Sequence, residues 1–403
     1  MTWAFEDGGP RRTQLVPGGL DIADGERLEV TTRIAPLTTM VVGGPDGGLY
    51  LLRHSPGAPS TSLVERIDPI TLEPRATSPD LPAGPAWPGG VGVHPDGGIH
   101  VVYGNHAHRL DADLQPVATR RLPRDRPYNS FVVLADGHLV TKDFAGSRPD
   151  HPVPPDAREP CELVVLDPVG LEIVDRLVLP EPSIARLSAD GDIVFVVGDT
   201  SLLVVAWDGA TLRLEPERTA RYRTLPGQGY GWDCVLIGGA AWFLDDGEGS
   251  EGYAGTLRGK GVATAPLHLV RVDLADGSVA TAEVCGRAGG LIANPPVVDL
   301  QRGIAVGYDS GNGVIAGFDV HTLERRWQRD QDHGSHLLLY EASGELVTGD
   351  GADVVVLDVA TGQERARADT GSGMQSVLFP APGRDRDLYL CSFLTVSRIA
   401  VSK

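Results

Sequence analysis

The stretch LVVLDPVGLEIV, residues 163–174, has the same plan as LVRVDLADGSVA at residues 269–280 and VVVLDVATGQER at residues 354–365. In each stretch a short apolar strand ends at an aspartate that opens a turn. Eight aspartates stand at comparable places, separated by 47, 43, 56, 41, 65, 46 and 39 residues. A repeat of short strands with this period indicates a β-propeller, in which each unit is one four-stranded blade. The eight are Asp21, Asp68, Asp111, Asp167, Asp208, Asp273, Asp319 and Asp358.

A second landmark precedes each of these aspartates, at the predicted turn between the first and second strands of a blade. Glycine suits a tight hairpin because it adopts positive φ without strain. The flanking strands are apolar runs, as expected of sheets that are buried on both faces. The turn glycines are Gly47, Gly97, Gly137, Gly191, Gly239, Gly303, Gly344 and Gly383.

These landmarks predict an all-β chain in which residues 1–403 form a single eight-bladed β-propeller. The last unit contains only part of a blade before the chain ends. We therefore expect residues near 26–34 to form the outer strand of the last blade, which closes the ring and removes its open edges. The blade bodies are predicted near 34–85, 86–125, 126–181, 182–228, 229–290, 291–332, 333–373 and 374–401.

Composition narrows the range of partners and compartments. The formal net charge of −19 argues against nucleic acid and against an anionic membrane surface as partners. No apolar run approaches the length of a membrane span, and no secretory signal is visible at the N-terminus. Four scattered cysteines without a CxxC motif indicate reduced core residues. The chain is expected to be cytoplasmic.

Acidic residues recur at the predicted end of the second strand, on the face that carries the longer loops. On one interpretation, these residues have only a structural role and cap the ends of their strands. On the other, they form an acidic ring that binds a cation or a cationic ligand, with calcium or magnesium as the ions that carboxylates suit. The residues concerned are Asp143, Asp245, Asp309 and Asp350.

Polar residues also stand at the predicted mouths of the inner strands, among them Asn129, His336 and Gln375. They either line a water-filled channel or form a ligand pocket on the axis. Because histidine can act as a base or a metal ligand near neutral pH, His336 is the leading catalytic candidate, with His333 and Asp350 beside it. Asn129 and Gln375 would orient the ligand.

Two long insertions, residues 144–160 and 247–266, rise over the same face. Loops of this length in a compact domain are usually lids or disordered segments. Tyr253 and Arg258 of the second insertion could then reach a ligand. Tyr230 and Trp232 fall near this face as well, where aromatic side chains serve either a pocket or the packing between blades.

The repeats resemble those of the quinoprotein alcohol dehydrogenase-like β-propellers, an eight-bladed superfamily. The similarity lies in the segments DVATG at 358–362, DLADG at 273–277 and DVHTLERRW at 319–327, whose Trp327 matches the tryptophan that docks neighbouring blades in those repeats. Quinone-using members typically have a vicinal cysteine pair and a secretory signal. This chain has neither, so pyrroloquinoline quinone is not the expected cofactor. The polar channel also resembles that of metal-dependent propeller lactonases and lyases, without a shared motif.

Two classes of function follow from these observations. The first is an enzyme that acts on a small molecule in the axial pocket, by metal-assisted hydrolysis, elimination or cyclisation. The second is a non-catalytic scaffold that binds a protein partner through the loop face. The polar mouth and the two insertions favour the first, since a scaffold would more often present a flat apolar patch.

Overall fold

The computed structural model describes residues 3–57, 59–86, 89–146, 153–250, 259–292, 294–332, 334, 336–373, 376–381, 383–384 and 386–403. The regular elements within these ranges are β-strands and three short 3₁₀ helices, Glu6–Gly8, Pro155–Ala157 and Pro216–Arg218. No helix within the described part of the chain is long and apolar enough to cross a membrane.

Two strands near the N-terminus precede the first complete blade: β1 (Leu15–Val16) and β2 (Arg27–Ile34). The next strands form four successive antiparallel blades, each a sheet of consecutive strands. Blade one contains β3 (Thr38–Gly43), β4 (Leu49–His54), β5 (Ser60–Ile67), β6 (Pro74–Thr77) and β7 (Leu81–Gly84). Blade two contains β8 (Gly90–Val93), β9 (Ile99–Tyr103), β10 (His106–Leu110) and β11 (Pro116–Arg121). Blade three contains β12 (Tyr128–Val133), β13 (Leu139–Asp143), β14 (Glu162–Leu166) and β15 (Ile173–Val178). Blade four contains β16 (Leu187–Asp190), β17 (Ile193–Val197), β18 (Ser201–Trp207), β19 (Leu212–Leu214) and β20 (Ala220–Arg221).

The second half of the ring repeats this arrangement. Blade five contains β21 (Val235–Ile237), β22 (Ala240–Asp245), β23 (His268–Asp273) and β24 (Val279–Glu283). Blade six contains β25 (Val297–Asp299), β26 (Ile304–Asp309), β27 (Val314–Asp319) and β28 (Arg325–Asp330). Blade seven contains β29 (Leu338–Tyr340), β30 (Glu345–Asp350), β31 (Asp353–Asp358) and β32 (Glu364–Asp369). Blade eight contains β33 (Ser376–Pro380), β34 (Asp387–Ser392) and β35 (Thr395–Ser402).

The ring closes as the sequence predicts. Strand β2 is the outer strand of blade eight and pairs antiparallel with β35, from Arg27 opposite Ser402 to Ile34 opposite Thr395. The N-terminal part of the chain therefore clasps the C-terminal strand, and the eight-bladed count is confirmed.

Local chemistry explains the regularity of the blades. All eight predicted turn glycines have positive φ, between 62° and 93°. Asp68 shows the role of the repeated aspartate: its Oδ1 accepts the backbone N–H groups of Ile70 and Thr71, both at 2.8 Å, as a turn-opening aspartate does. The other aspartates that follow the third strand accept turn N–H groups in the same way. Asp21 differs, because it lies between β1 and β2 and its own N–H donates to Glu345 Oε2 at 2.9 Å.

Trp327 docks blade six on blade seven, as the family resemblance implies. Its indole Nε1 donates to the carbonyl oxygen of Val359 at 2.9 Å. A Cβ added at Gly362 would lie 2.5 Å from the indole ring, so this turn position needs glycine both for space and for its φ of 70°.

The N-terminal segment, residues 3–16, runs around the inner strands of the ring. Its carbonyl oxygens accept backbone N–H groups from inner strands of successive blades. The donors are Gly43 of blade one to Trp3, Val93 of blade two to Ala4, Ala189 of blade four to Pro10, Leu236 of blade five to Arg11 and Leu339 of blade seven to Gln14, at 2.8–3.0 Å.

Side chains of the same segment reach two further blades. Ser130 Oγ of blade three donates to Glu6 Oε2 at 2.7 Å, and Gln14 Nε2 donates to the carbonyl oxygen of Pro296, ahead of β25 in blade six, at 2.9 Å. Strand β1 then pairs in parallel with β29. The N-terminal segment thus contacts seven of the eight blades at or beside their inner strands, which the sequence did not reveal.

A buried ionic network, which we call the axial network, holds this segment. Arg12 is 1% exposed, and its Nη1 lies 2.9 Å from both Glu6 Oε2 and Asp7 Oδ2. Arg186, just before the inner strand of blade four, bridges Glu6 Oε1 and Asp233 Oδ2, each at 3.2 Å. Burying such charges is favourable only when they are paired, so the network fixes where the segment lies.

Removing Arg12 should therefore destabilise the ring strongly, whereas removing its neighbour Arg11 should not. Arg12→Met leaves two buried carboxylates with one cation fewer, a change that typically costs about 3–5 kcal/mol. Arg11 pairs with Asp190 at the surface, where its side chain is 59% exposed, so Arg11→Met should change the free energy of unfolding by at most about 1 kcal/mol. Urea unfolding of both variants measures the difference, and equal effects would contradict the role of the axial network.

Candidate functional site

Two of the residues that the sequence placed at the axis, His336 and Asn129, contact other parts of the protein. His336 is buried, and its Nδ1 lies 3.1 Å from Asp7 Oδ1 of the axial network. Asn129 is buried as well, with Nδ2 donating to the carbonyl oxygen of Ile184 at 3.1 Å. His333 and Gln375, predicted beside them, lie outside the described residues. A catalytic role for His336 stays a prediction, but its position near the N-terminal segment gives it a clear structural contact.

The charge on Asp7 depends on this contact. Burial alone would raise the pKa of its carboxyl group, but His336, Arg12 and Arg186 outweigh that effect and lower the pKa to about 2. Asp7 is therefore an anion at neutral pH, and its partners stabilise the charge that burial disfavours.

Two of the predicted strand-end acids, Asp245 and Asp309, are buried and form hydrogen bonds with neighbouring side chains. Asp245 Oδ2 lies 3.0 Å from His268 Nδ1 and accepts Gln228 Nε2 at 3.1 Å. Asp309 Oδ2 accepts Asn312 Nδ2 at 2.8 Å. Both carboxylates thus act as local caps of their strands in the structure.

Asp350 is partly exposed and is also paired. Its Oδ2 lies 2.8 Å from Arg367 Nη2 of the outer strand, and its Oδ1 accepts the backbone N–H of Asp332 at 2.7 Å. Within the described ranges, no group of three or more His, Cys, Asp or Glu side chains could hold a metal ion. Asp245, Asp309 and Asp350 are thus each bound to their own neighbours, and a calcium or magnesium site at the strand-end acids stays a prediction.

A buried acid next to these residues was not singled out by the sequence. Asp246 follows Asp245, and burial raises its pKa well above the usual value, with the nearby carboxylates of Asp245 and Asp309 adding to the shift. Its Oδ1 accepts the N–H of Ile292 at 2.9 Å. Burial thus favours the neutral form of Asp246, an effect that depends on tertiary packing.

Only part of the second insertion, residues 247–266, lies within the described residues. Tyr253 and Arg258 lie outside them. Tyr230 is buried, and its hydroxyl donates to the carbonyl oxygen of Ser250 at 3.0 Å. This contact fixes the start of the insertion against blade five.

A cavity of about 560 Å³ lies beside the first insertion, and we call it the arginine cavity. Its walls come from the approach to β12 and from both ends of residues 144–160. The lining residues are Arg124, Asp125, Arg126, Phe144, Ala145, Gly146, Val153, Ala157, Arg158 and Glu159.

The carboxylate of Asp143 forms ion pairs with two of these arginines. It is fully buried, and its Oδ2 lies 2.5 Å from Arg126 Nη2 and 3.4 Å from Arg124 Nη1. Both arginines also donate to the carbonyl oxygen of Pro160, at 3.1 Å and 2.5 Å. The strand-end acid that the sequence selected thus holds two guanidinium groups at the cavity wall.

Arg158 is the most enclosed of the three arginines, at 5% side-chain exposure. Its Nε donates to the carbonyl oxygen of Ala145 at 3.0 Å, and its Nη1 lies 2.7 Å from Asp199 Oδ2. The guanidinium stands 5.2 Å from the centre of the Tyr230 ring, a cation–π distance. Its buried Nη2 has no hydrogen-bond partner among the described residues.

An apolar cluster supports this wall. Phe144, Ile184 and Tyr230 pack together, and Trp232 packs against them. Since Asn129 donates to Ile184, the structure brings Asn129, Tyr230 and Trp232 to the same part of the loop face as Asp143.

No sequence signal selected the three arginines. Arg124 and Arg126 flank Asp125, and Arg158 lies near the end of the first insertion. The only signal was their position beside that insertion, and the chain has 35 Lys and Arg residues in all.

The cysteines do not fit a quinone cofactor. Cys161, Cys234, Cys285 and Cys391 are all free thiols, and they are far apart in the sequence. The sequence thus lacks the vicinal cysteine pair that the family resemblance associates with quinone-using members.

Substitution of His336 tests its structural contact with Asp7. His336→Ala removes a partner from the buried Asp7 carboxylate, and an unsatisfied buried group costs about 1–3 kcal/mol. We expect the melting temperature to fall. His321→Ala, at an exposed turn position, is the matched control and should leave it unchanged. An unaltered melting temperature for His336→Ala would contradict the structural contact.

Comparison with known proteins shows the fold and no more. No family model and no curated protein matches this sequence. Among solved structures, BamB from Moraxella catarrhalis is similar at 14% identity and a TM-score of 0.62, over 92% of this chain and 100% of that one.

Two further structures give the same result. The quinohemoprotein alcohol dehydrogenase from Comamonas testosteroni is similar at 12% identity and a TM-score of 0.65, over 99% of this chain and 80% of that one. Apo AztD from Citrobacter koseri is similar at 15% identity and a TM-score of 0.53, over 86% of this chain and 96% of that one. The chain thus shares the eight-bladed propeller architecture of the quinoprotein alcohol dehydrogenases, a likeness that at this level of identity concerns the fold alone.

Proposed function

We propose that this propeller binds a small anionic molecule, one with a carboxylate or phosphate group, in the arginine cavity. The observation that carries the proposal is the set of three guanidinium groups at one cavity, with Arg158 oriented by Asp199, Ala145 and the Tyr230 ring while its Nη2 is left without a partner. Guanidinium groups recognise carboxylates and phosphates through paired N–H donors in a fixed plane.

The arginines of the cavity wall are paired with carboxylates of the protein. The described lining has three arginines and the two acids Asp125 and Glu159, and the arginines also pair with Asp143 and Asp199 outside the lining. Asp143 lies beneath the wall and holds Arg124 and Arg126 in place before any ligand arrives. A site ordered in advance loses less entropy when the ligand binds.

The size and the apolar part of the wall limit the ligand. A volume of about 560 Å³ lies within the usual range for small-molecule sites, roughly 300–1,000 Å³. Phe144, Ala145 and Val153 supply apolar surface beside the arginines. The ligand we propose therefore has an anionic head and a short apolar or aromatic body.

Binding, rather than catalysis, is the activity that this cavity favours. The described lining side chains include no histidine, cysteine, serine, threonine, tyrosine or lysine. Among the described lining residues, the groups able to accept a proton are the carboxylates of Asp125 and Glu159. The proposal therefore differs from the metal-assisted enzyme at the axis that the sequence favours, and gives the protein a binding role at a cavity away from the axis. We also propose a cytoplasmic location, because the four cysteines are free thiols, as is usual in a reducing compartment.

A scaffold that binds a protein partner is the second candidate. Ile34 is 79% exposed and Leu394 is 51% exposed. They lie close together, because Ile34 is paired with Thr395 and Ala35 donates its N–H to the carbonyl oxygen of Leu394. Exposed apolar side chains that adjoin one another favour contact with another molecule.

Calorimetric titration and thermal shift with inorganic sulfate, a phosphate monoester, benzoate and neutral benzamide test the first proposal. The anions should raise the melting temperature, since a ligand that binds only the folded state stabilises it, and benzamide should not. The double variant Arg158→Gln/Asp199→Asn removes the guanidinium without leaving its partner as an unpaired buried charge. We expect it to fold and to bind the anions at least about tenfold more weakly.

Arg27→Gln is the matched control. Arg27 lies on strand β2, its side chain is 72% exposed and pairs with Glu29, and neither residue is part of the described lining, so its loss should leave anion affinity unchanged. Equal responses to benzoate and benzamide, or no response to any anion, would overturn the proposal.

A further inference from the structure

We propose that Asp199 is a built-in competitor for the bound anion, and that anion binding at Arg158 is coupled to the uptake of a proton by Asp199. The inference rests on the proposed function of the arginine cavity. It adds a rule for how the same site responds to pH.

The geometry places Asp199 where a ligand carboxylate would compete with it. Asp199 follows β17 in blade four, and its backbone N–H donates to the carbonyl oxygen of Pro182 at 3.0 Å. Its Oδ2 lies 2.7 Å from Arg158 Nη1, across from the first insertion of blade three. Arg158 thus already carries a carboxylate of the protein on the guanidinium that the ligand would use.

The carboxylate itself is poorly satisfied. Asp199 Oδ1 is buried and has no hydrogen-bond partner among the described residues. An ionised carboxylate gains from donors to both oxygens, so one that has a single charged partner is held less firmly in its charged form.

The groups that face Asp199 fix the direction of its titration. Burial raises the pKa of Asp199, and the neighbouring carboxylate of Glu181 raises it further, while Arg158 and Arg223 act in the opposite direction without cancelling the rise. Glu181 stays close because it accepts the backbone N–H of Thr200 at 2.5 Å. Asp199 is therefore nearer to protonation than an ordinary surface aspartate.

An incoming anion increases this tendency. With a ligand at Arg158, two negative charges share one guanidinium, and the second carboxylate loses part of the stabilisation that kept it ionised. Protonation of Asp199 removes the repulsion, so the bound state takes up a proton that the free state does not. By linkage, the affinity for the anion then increases as pH falls.

Sulfate is the probe for this coupling, because it stays doubly charged across the range and any pH slope then comes from the protein. Calorimetric titrations between about pH 8 and pH 5 should show affinity rising by about tenfold, the change that one unit of pKa shift between free and bound protein gives. Asp199→Asn keeps the shape of the side chain without the charge. It should bind sulfate more tightly than the parent at pH 8, with little dependence on pH.

Asp125→Asn is the matched control, since it removes an acid from the same cavity wall at a position whose side chain is 82% exposed. It should keep the parent's pH slope. A flat pH profile in the parent, or an unchanged slope in Asp199→Asn, would overturn the coupling while leaving anion binding in place. No sulfate binding by the parent or by Asp199→Asn at any pH would instead overturn both the coupling and the proposed function.

Discussion

The ion pairs that Arg12 makes inside the ring are the interaction on which the rest of the structure depends. A guanidinium that is 1% exposed must be matched by anions, and Glu6 and Asp7 provide them from the same segment. Arg186 and Asp233 extend the network to blades four and five. Backbone hydrogen bonds from the inner strands then fix residues 3–16 around the axis. Since β2 also completes blade eight, the N-terminal part of the chain both fills and closes the ring.

The N-terminal segment also meets one of the residues that the sequence placed at the axis, since His336 contacts Asp7. The described ends of the first insertion frame the arginine cavity. Asp143 orients two arginines from below, and the Tyr230 ring supports the third from the side. Asp199 holds the guanidinium of Arg158 from blade four, and this pairing is the basis of the proposed coupling to pH.

The fold was predictable because its signals are periodic and local. A turn glycine such as Gly137 is required by backbone conformation alone, and a turn aspartate such as Asp68 bonds only to its near neighbours. The pairing of β2 with blade eight could be predicted because the last repeat unit contains only part of a blade. The path of residues 3–16 could not be predicted in this way, because the segment has no period and its partners lie up to 329 residues away, as in the pair of Asp7 and His336. The sequence singled out Asp143 and Tyr230, which contact arginines of the cavity wall, and their role in ligand binding stays a prediction. It could not show which arginines they contact, since those contacts join separate loops and blades.

Complementation of a truncated chain tests the central claim most directly. A chain that starts at residue 17 lacks the axial segment but keeps β2 and all eight blades. Its unfolding by urea is to be compared with and without a synthetic peptide of residues 3–16, and with the same peptide carrying Arg12→Met. The account predicts that the truncated chain is much less stable than the full chain, that the native peptide restores cooperative unfolding, and that the Arg12→Met peptide restores much less. A truncated chain as stable as the full one would contradict it.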